Sequence, residues 1–351
     1  MSNHHYGKLV YDLRKAVPEK LKLQCEVSAA NLTTFALGGQ IGLLVEPQDV
    51  DGLLRALEWF WKNGVPWRVL GAGSNVVVCD DGIEEVVIRL GDAFNGVLSW
   101  DAEGEFGIRK LQSSNEVTSI PAELGNVHFG ESFKILALAG TPLMGLSRRC
   151  SNLGLSGLEF AAGIPASLGG AVAMNAGAHG ESMGLVVEKV YVVDVEGRLK
   201  ELSREEMQFS YRETRLGKND IALGALILLN VGQSDDVLAK RARCLEYRKQ
   251  TQPLQFPSAG SVFANPIVNG GQLEIDSKLR YAAYLLEKVG MKGVECGGVA
   301  YSSMHANWLV KIRDDAKASE VACLMAKGQD RVLQEFGIEL RPEIIFWKSD
   351  R

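Results

Sequence analysis

The sequence predicts a mixed α and β fold, with strands and helices following one another along the chain. Three observations carry this. Short apolar runs of strand-forming residues recur at 41–46, 67–70 and 221–229. Apolar residues at helical spacing, with capping signals, mark other stretches, among them 50–63 and 318–336. Glycine gathers at 154, 157, 163, 169, 170, 177, 180 and 184, which places a loop-rich region between such elements.

In order, residues 41–46 read as a strand. Asp49 caps a helix from Val50 to Asn63, whose apolar positions 50, 53, 54, 57 and 60–61 share a face, and Gly64 ends it. Trp67–Leu70 is strand-like and runs into Gly71-Ala72-Gly73-Ser74-Asn75; strands at Val76–Val78 and Glu85–Arg89 follow. Residues 95–134 are polar and weakly periodic, as an inserted surface loop would be. Ile135–Ala139 reads as a buried strand, Thr141-Pro142 as the cap and first turn of a helix, and Gly154 as its stop. Val187–Asp194 and Arg198–Glu201 make a hairpin about Glu196-Gly197. Ser203 and Glu206 make a capping box leading into Phe209-Ser210-Tyr211-Arg212. After the strand Ile221–Leu229, Ser234-Asp235-Asp236 opens a helix with basic residues toward its far end. A helix near Ala282–Val289, a strand at Trp308–Ile312, a helix near Ala318–Phe336 and a strand pair around Arg341-Pro342-Glu343 complete the chain.

Composition narrows the function. At 351 residues the chain suits about two domains. A net charge of −5 argues against broad nucleic-acid or membrane-surface binding. The six cysteines are dispersed without a C-x-x-C pair, so metal-ligand spacing is absent and reduced thiols are expected. Met1–Tyr6 holds no apolar signal core, and no apolar run is long enough for a membrane span. The expectation is a cytoplasmic protein.

The segment Gly71–Asn75 has the composition of a phosphate cradle, but alone it reads first as a tight turn between strands. It lacks the spacing of a dinucleotide fingerprint or a P-loop. Gly163–Gly180 is the stronger signal. Its small residues would let the backbone approach a large flat ligand, with N–H groups meeting phosphate without a charged side chain. Within it, His179 reads as structural or as a ligand-loop residue. Arg212 offers a planar fork suited to a carboxylate, or a surface ion pair. Ser261 sits among small residues, as an exposed hydroxyl at a pocket edge or a turn cap; no nucleophile elbow surrounds it. Glu343 is an edge charge or a paired functional group.

Taken together, Thr33-Thr34-Phe35 with Gly38-Gly39, Gly71–Asn75, Gly163-Ile164-Pro165 through Asn175-Ala176-Gly177, Ser210-Tyr211-Arg212, Thr251-Gln252-Pro253 through Pro266, Gly297-Gly298, His305-Ala306-Asn307 and Pro342-Glu343 resemble the UDP-N-acetylenolpyruvoylglucosamine reductase family. The likeness runs from about Asn31 to Phe346. It implies an α+β, two-lobe FAD-binding fold of the vanillyl-alcohol-oxidase/PCMH type with a C-terminal α+β substrate-binding domain. The lobes would be 20–94, completed by 337–351, then 95–232 with an insertion near 95–134, and a substrate-binding domain at 233–336.

The resemblance further implies non-covalent FAD held by Gly71, Ala72, Gly73, Ser74, Asn75, Pro165, Ser167, Gly169, Gly170, Asn175, Ala176, Gly177, His179 and Gly180. NADPH is the hydride donor. Arg212 and Glu343 would polarise the substrate carboxylate side and Ser261 would donate a proton, with Tyr211, Lys249 and Asn265 on the UDP-sugar. No metal is implied, and the enzyme is expected to act as a monomer. The short segment after Arg212 marks the short-loop subtype. Ala36-Leu37 departs from the family where many relatives carry an arginine, and the 95–134 insertion is outside its usual pattern. Rival readings are another FAD oxidoreductase of the same scaffold acting on an alcohol or sugar, and a non-catalytic nucleotide-sugar binding protein.

Overall fold

A computed structural model of the chain describes residues 4–101, 128–217, 220–267 and 276–348. It divides into two compact units. The first comprises Met1–Cys25, Gly42–Ala72 and Glu85–Glu246; the second comprises Glu26–Ile41, Gly73–Glu84 and Tyr247–Arg351.

The first unit is built on a six-stranded antiparallel sheet. Its order is Leu199–Ser203, Val187–Val193, Ile221–Val231, Ser132–Leu138 and Val97–Asp101, with Leu155–Ser156 also pairing on Ile221–Val231. The central strand Ile221–Val231 has no polar face in its first eight residues, because Ile227 and Ala225 face one core while Ile221 and Leu223 face another. On one side Ile135, Ala137, Val190 and Val192 pack with Leu143 and Leu146 of the helix Leu143–Asn152 and with Leu168 and Val172 of the helix Leu168–Ala173.

A four-stranded sheet, ordered Leu21–Ser28, Gln40–Pro47, Ile83–Arg89 and Trp67–Leu70, lies mainly in this unit. Trp67–Leu70 and Ile83–Arg89 run parallel, as strands joined by a crossover can. The helix Val50–Lys62 buries Leu53, Leu57 and Phe60 among Leu43, Val45 and Ile88. Each such side chain contributes about 1.5–3 kcal/mol. Asp49 caps this helix as predicted, accepting from Gly52 N at 2.6 Å.

The second unit holds a four-stranded antiparallel sheet ordered Ser258–Ser261, Trp308–Lys311, Val299–Tyr301 and Glu295–Cys296. The helices Ala282–Lys288 and Ala318–Phe336 pack Leu285, Leu286, Val321 and Leu324 against Tyr301 and Leu309. Asp80 supplies a distant cap to the longer helix, accepting from Ala318 N at 2.6 Å and Ser319 N at 3.0 Å. Val76–Val78 pairs in parallel with Ile345–Trp347.

Three expectations change. Thr141 does not cap the following helix: its hydroxyl bridges the Gly96 backbone, donating to Gly96 O at 3.0 Å and accepting from Gly96 N at 2.9 Å. Pro142 takes the cap position. Around Arg341-Pro342-Glu343 the strand begins only at Ile345, and Pro342, lacking an N–H, makes an isolated bridge to Phe263. The polar stretch 95–134 begins and ends in paired strands, Val97–Asp101 and Ser132–Leu138, so its ends belong to the sheet. The rest of it, 102–127, lies outside the described residues.

Candidate active site

The glycine-rich segment of the first unit is more ordered than its composition implies. Ser167 caps the short helix Leu168–Ala173, accepting from Gly170 N at 3.4 Å. Asn175, His179 and Gly180 then turn with positive φ, and Gly177–Ala178 pairs back on Glu181–Ser182. The expectation of free amides needs correction here. Leu168 N donates to Thr141 O and Gly169 N to Ala139 O, each at 2.8 Å, while Asn175 N and Ala176 N are bonded to Val172 O and Ala171 O. Small size, more than spare N–H groups, is what this part of the segment offers a ligand.

The other predicted glycine loop meets it. A Cβ on Gly71 would lie 2.7 Å from Ser167 Oγ and 3.6 Å from Gly170 Cα. Gly71-Ala72 and Ser167–Gly170 therefore form one wall of small residues, with Ala72, Pro165, His179 and Gly180 exposed. Such a wall fits a flat, phosphate-bearing cofactor, because backbone can approach where side chains cannot.

The loop around Arg212 is bound to this segment by three side chains. Asn175 is 7 % exposed; its Nδ2 donates to Ser210 O at 2.6 Å and its Oδ1 accepts from Gly184 N at 2.9 Å. Thr214 Oγ1 donates to Ala173 O at 2.9 Å, and Arg212 Nη2 donates to Gly177 O at 3.1 Å. Ser210 and Glu213 pair across a two-residue turn in which Arg212 takes a φ of +59°. A non-glycine residue held there costs on the order of 1–3 kcal/mol, a strain that clusters at functional positions. The guanidinium lies 5.3 Å from the ring centroid of Tyr211, which is 50 % exposed.

In the second unit the structure brings Gly73–Asn75, Ser261 and Glu343 together. Gly73 takes a φ of +67° against Leu32 O, where no Cβ fits. Its carbonyl accepts from Thr34 N at 3.1 Å; Asn75 O accepts from Ile345 N and Asn75 Nδ2 donates to Glu343 O, each at 2.9 Å. These anchors do not consume the amides of Gly73 and Ser74. Ser261 ends its strand opposite Trp308, and Val262 O accepts from Glu343 N at 2.8 Å, so Ser261 and Glu343 flank one backbone bond. Among the described residues the half-buried Ser261 hydroxyl makes no hydrogen bond. Lys249 is exposed near the end of the helix Ser234–Thr251, and Asn265 Oδ1 accepts from Ala282 N at 3.1 Å.

Two residues that residue-level reading gave no role hold this site. Thr34 Oγ1 donates to Ser258 O at 2.6 Å while Thr34 N holds Gly73, tying the loop to the Ser261 strand. Asn307, 4 % exposed, clamps the residues after Ser261: its O and Oδ1 accept from Val262 N (2.9 Å) and Phe263 N (3.0 Å), and its Nδ2 donates to Phe263 O at 2.8 Å. His305 Nδ1 in turn accepts from Asn307 N at 3.2 Å, and burial, aided by Lys292, pushes the imidazole below its ordinary range. The only sequence signal for both was membership of a matching motif.

Arg212 belongs to the first unit, Ser261 and Glu343 to the second. No described helix is long and apolar enough to cross a membrane, and no described group of three His, Cys, Asp or Glu residues could hold a metal ion.

Comparison with known proteins gives the family. Residues 41–109 and 115–203 match an FAD binding domain model, and 252–347 match the model of the UDP-N-acetylenolpyruvoylglucosamine reductase C-terminal domain. The crystal structure of p-cresol methylhydroxylase shares the fold at 10% identity, with a TM-score of 0.51 over 97% of this chain and 90% of that one. The crystal structure of UDP-N-acetylenolpyruvylglucosamine reductase from Thermus caldophilus matches at 30% identity and a TM-score of 0.70, over 93% of this chain and 99% of that one. A UDP-N-acetylenolpyruvoylglucosamine reductase of Halalkalibacterium halodurans is 36% identical over 318 residues, 90% of this chain and 91% of the relative. With matches of that length at both ends of the molecule, the chain belongs to the UDP-N-acetylenolpyruvoylglucosamine reductase family.

Proposed function

We propose that the protein reduces the enolpyruvyl ether of UDP-N-acetylglucosamine to UDP-N-acetylmuramate, a step in peptidoglycan precursor synthesis. Bound FAD supplies the hydride chemistry, with NADPH as donor. The observation that carries this reading is the convergence of Gly71-Ala72 on Ser167–Gly170, a wall only small residues can build, in a chain that is family-like over nine-tenths of its length.

The protein's own groups have distinct tasks. Gly71–Asn75 and Gly163–Gly180 would hold the flavin nucleotide through backbone and small side chains. Arg212, with its head fixed on Gly177 O, presents a planar cation to the substrate carboxylate as negative charge builds beside it. Ser261 delivers a proton to the carbon bearing that charge. Glu343, set beside Ser261 through Val262, polarises the same end of the substrate. Tyr211, Lys249 and Asn265 would bind the UDP-sugar. The proposal includes three lobes, at 20–94 with 337–351, at 95–232 and at 233–336, and a monomer acting in the cytoplasm without nucleic acid.

The test is anaerobic spectroscopy of the purified protein. NADPH should bleach the visible flavin band, and the enolpyruvyl UDP-sugar should restore it. A colourless protein, or a reduced flavin that the enolpyruvyl compound does not reoxidise, removes the reading.

A further inference from the structure

We propose that Lys240 is a positioning residue: it clamps the hairpin Gly177–Ser182 and so fixes the aim of the Arg212 guanidinium. That role rests on the proposed reaction and falls to a residue outside every family-like motif. Lys240 stands on the helix Ser234–Thr251, and both carboxylates it meets lie, like Arg212, in the first unit. Its ammonium donates to Glu181 Oε1 at 2.8 Å and lies 3.7 Å from Glu159 Oε1. One ammonium thus spans two carboxylates, a task its three donors suit.

The two carboxylates differ in freedom. Glu159 is fully buried, and its own loop holds it: Oε1 accepts from Ser156 Oγ at 2.7 Å and Oε2 from Gly157 N at 2.6 Å. A carboxylate so placed cannot turn to water, so it retains its cation. Glu181 is partly exposed and sits on the hairpin. An isolated pair at the surface would hold position weakly; the buried Glu159 makes Lys240 a fixed point. Partial burial opposes the charge on Lys240, yet the Glu181 hydrogen bond and the two carboxylate charges hold its pKa above the ordinary lysine range.

The hairpin carries that fixed point to Arg212. Glu181 pairs with Ala178 and Ser182 with Gly177, across a turn whose His179 and Gly180 both take positive φ. The arms pack so closely that a Cβ on Gly177 would lie 2.4 Å from Glu181 O and 2.8 Å from Ser182 Cβ. With no slack between them, a shift of Glu181 is passed to Gly177, whose carbonyl accepts from Arg212 Nη2 at 3.1 Å. The base of the hairpin is held separately, by Met183 N donating to Ala176 O at 3.0 Å, so loss of Lys240 frees the arms without undoing the fold. A misplaced fork forfeits much of its hold on developing charge.

The test uses the flavin-loaded full chain with K240M, K240R and E181Q. Amide hydrogen exchange, read by mass spectrometry without substrate, should speed up several-fold across residues 176–184 in K240M and E181Q. It should stay native-like in K240R, whose fork can span both carboxylates. In anaerobic rapid mixing, NADPH should reduce the flavin at the native rate in all three, while reoxidation by the enolpyruvyl UDP-sugar slows about 10-fold in K240M and E181Q. Combined with R212A, K240M should slow reoxidation no further, since no fork remains to be aimed. Native exchange across 176–184, equal slowing of both half-reactions, or the same loss on top of R212A overturns the proposal. A native protein that NADPH reduces but the enolpyruvyl compound does not reoxidise removes the reaction instead, and exchange across 176–184 still decides the clamp.

Discussion

The glycine-rich segment and the Ser261 strand solve opposite problems. In the first, the polar side chains hold backbone: Ser167 caps a helix, Asn175 spans Gly184 and Ser210, and Thr214 grips Ala173. What remains for a ligand is bare main chain. In the second, backbone and neighbours do the holding. Asn307, Thr34 and the Glu343 amide fix residues 258–263, and the Ser261 hydroxyl is left without a hydrogen bond among the described residues. A polar residue in a family-like motif can thus be scaffold or reagent, and its hydrogen-bond inventory separates the two.

The sharpest way to break this contrast is Ser261→Ala. Loss of a positioned proton donor should cut substrate turnover by about 10²–10⁴-fold. Flavin reduction by NADPH should proceed at its usual rate, as rapid mixing of each half-reaction would show. Equal slowing of both half-reactions would class Ser261 with Asn175 as scaffold.

Arg212→Lys tests the one residue given a part in both categories, since its guanidinium binds Gly177 O and is also the cation proposed for the substrate carboxylate. Lysine keeps the charge but loses the fork, so turnover should fall by about 10²-fold, the scale of one lost charge-stabilising donor. A fall confined to KM would make Arg212 a binding group only.

Asn175→Ala should act on stability first. It strands the Gly184 amide that a buried side chain now serves, costing about 1–3 kcal/mol, and takes one of two donors from Ser210 O, which keeps the Glu213 amide. Denaturant unfolding of the flavin-loaded protein measures this. If stability holds while turnover collapses, Asn175 is chemical and the contrast fails on that side.

Legibility in the sequence followed the distance between partners. The Asp49 cap and the Ser203–Glu206 capping box were readable because each bond closes within three residues. The same logic misjudged Thr141, whose hydroxyl serves Gly96, 45 positions away. It could not see that Asn175 serves Ser210, 35 positions on, or that Asn307 serves Phe263, 44 positions back. Ser261 and Glu343 were named from motif resemblance, and their adjacency needed the strand register. The helix inside 163–180 was hidden because glycine composition signals a loop more strongly than the Ser167 cap signals a helix start.

The smallest expected effect concerns the support beneath Asn307. The native fold holds His305 below its ordinary pKa, chiefly by burial, and uses Nδ1 as an acceptor that a proton would abolish. The unfolded chain binds that proton as pH falls through about 6.5, while the folded chain resists it. Stability from this group is therefore complete above that pH and declines below it, until the folded form also titrates. His305→Asn, whose side-chain oxygen can still accept from a backbone amide, should flatten this part of the stability profile below about pH 6.5. If acid also slows the hydride-accepting half-reaction in the native protein but not in His305→Asn, the clamp on Val262–Phe263 controls the aim of Ser261. An unchanged profile would leave His305 a packing residue against Trp308, 6.3 Å away ring to ring.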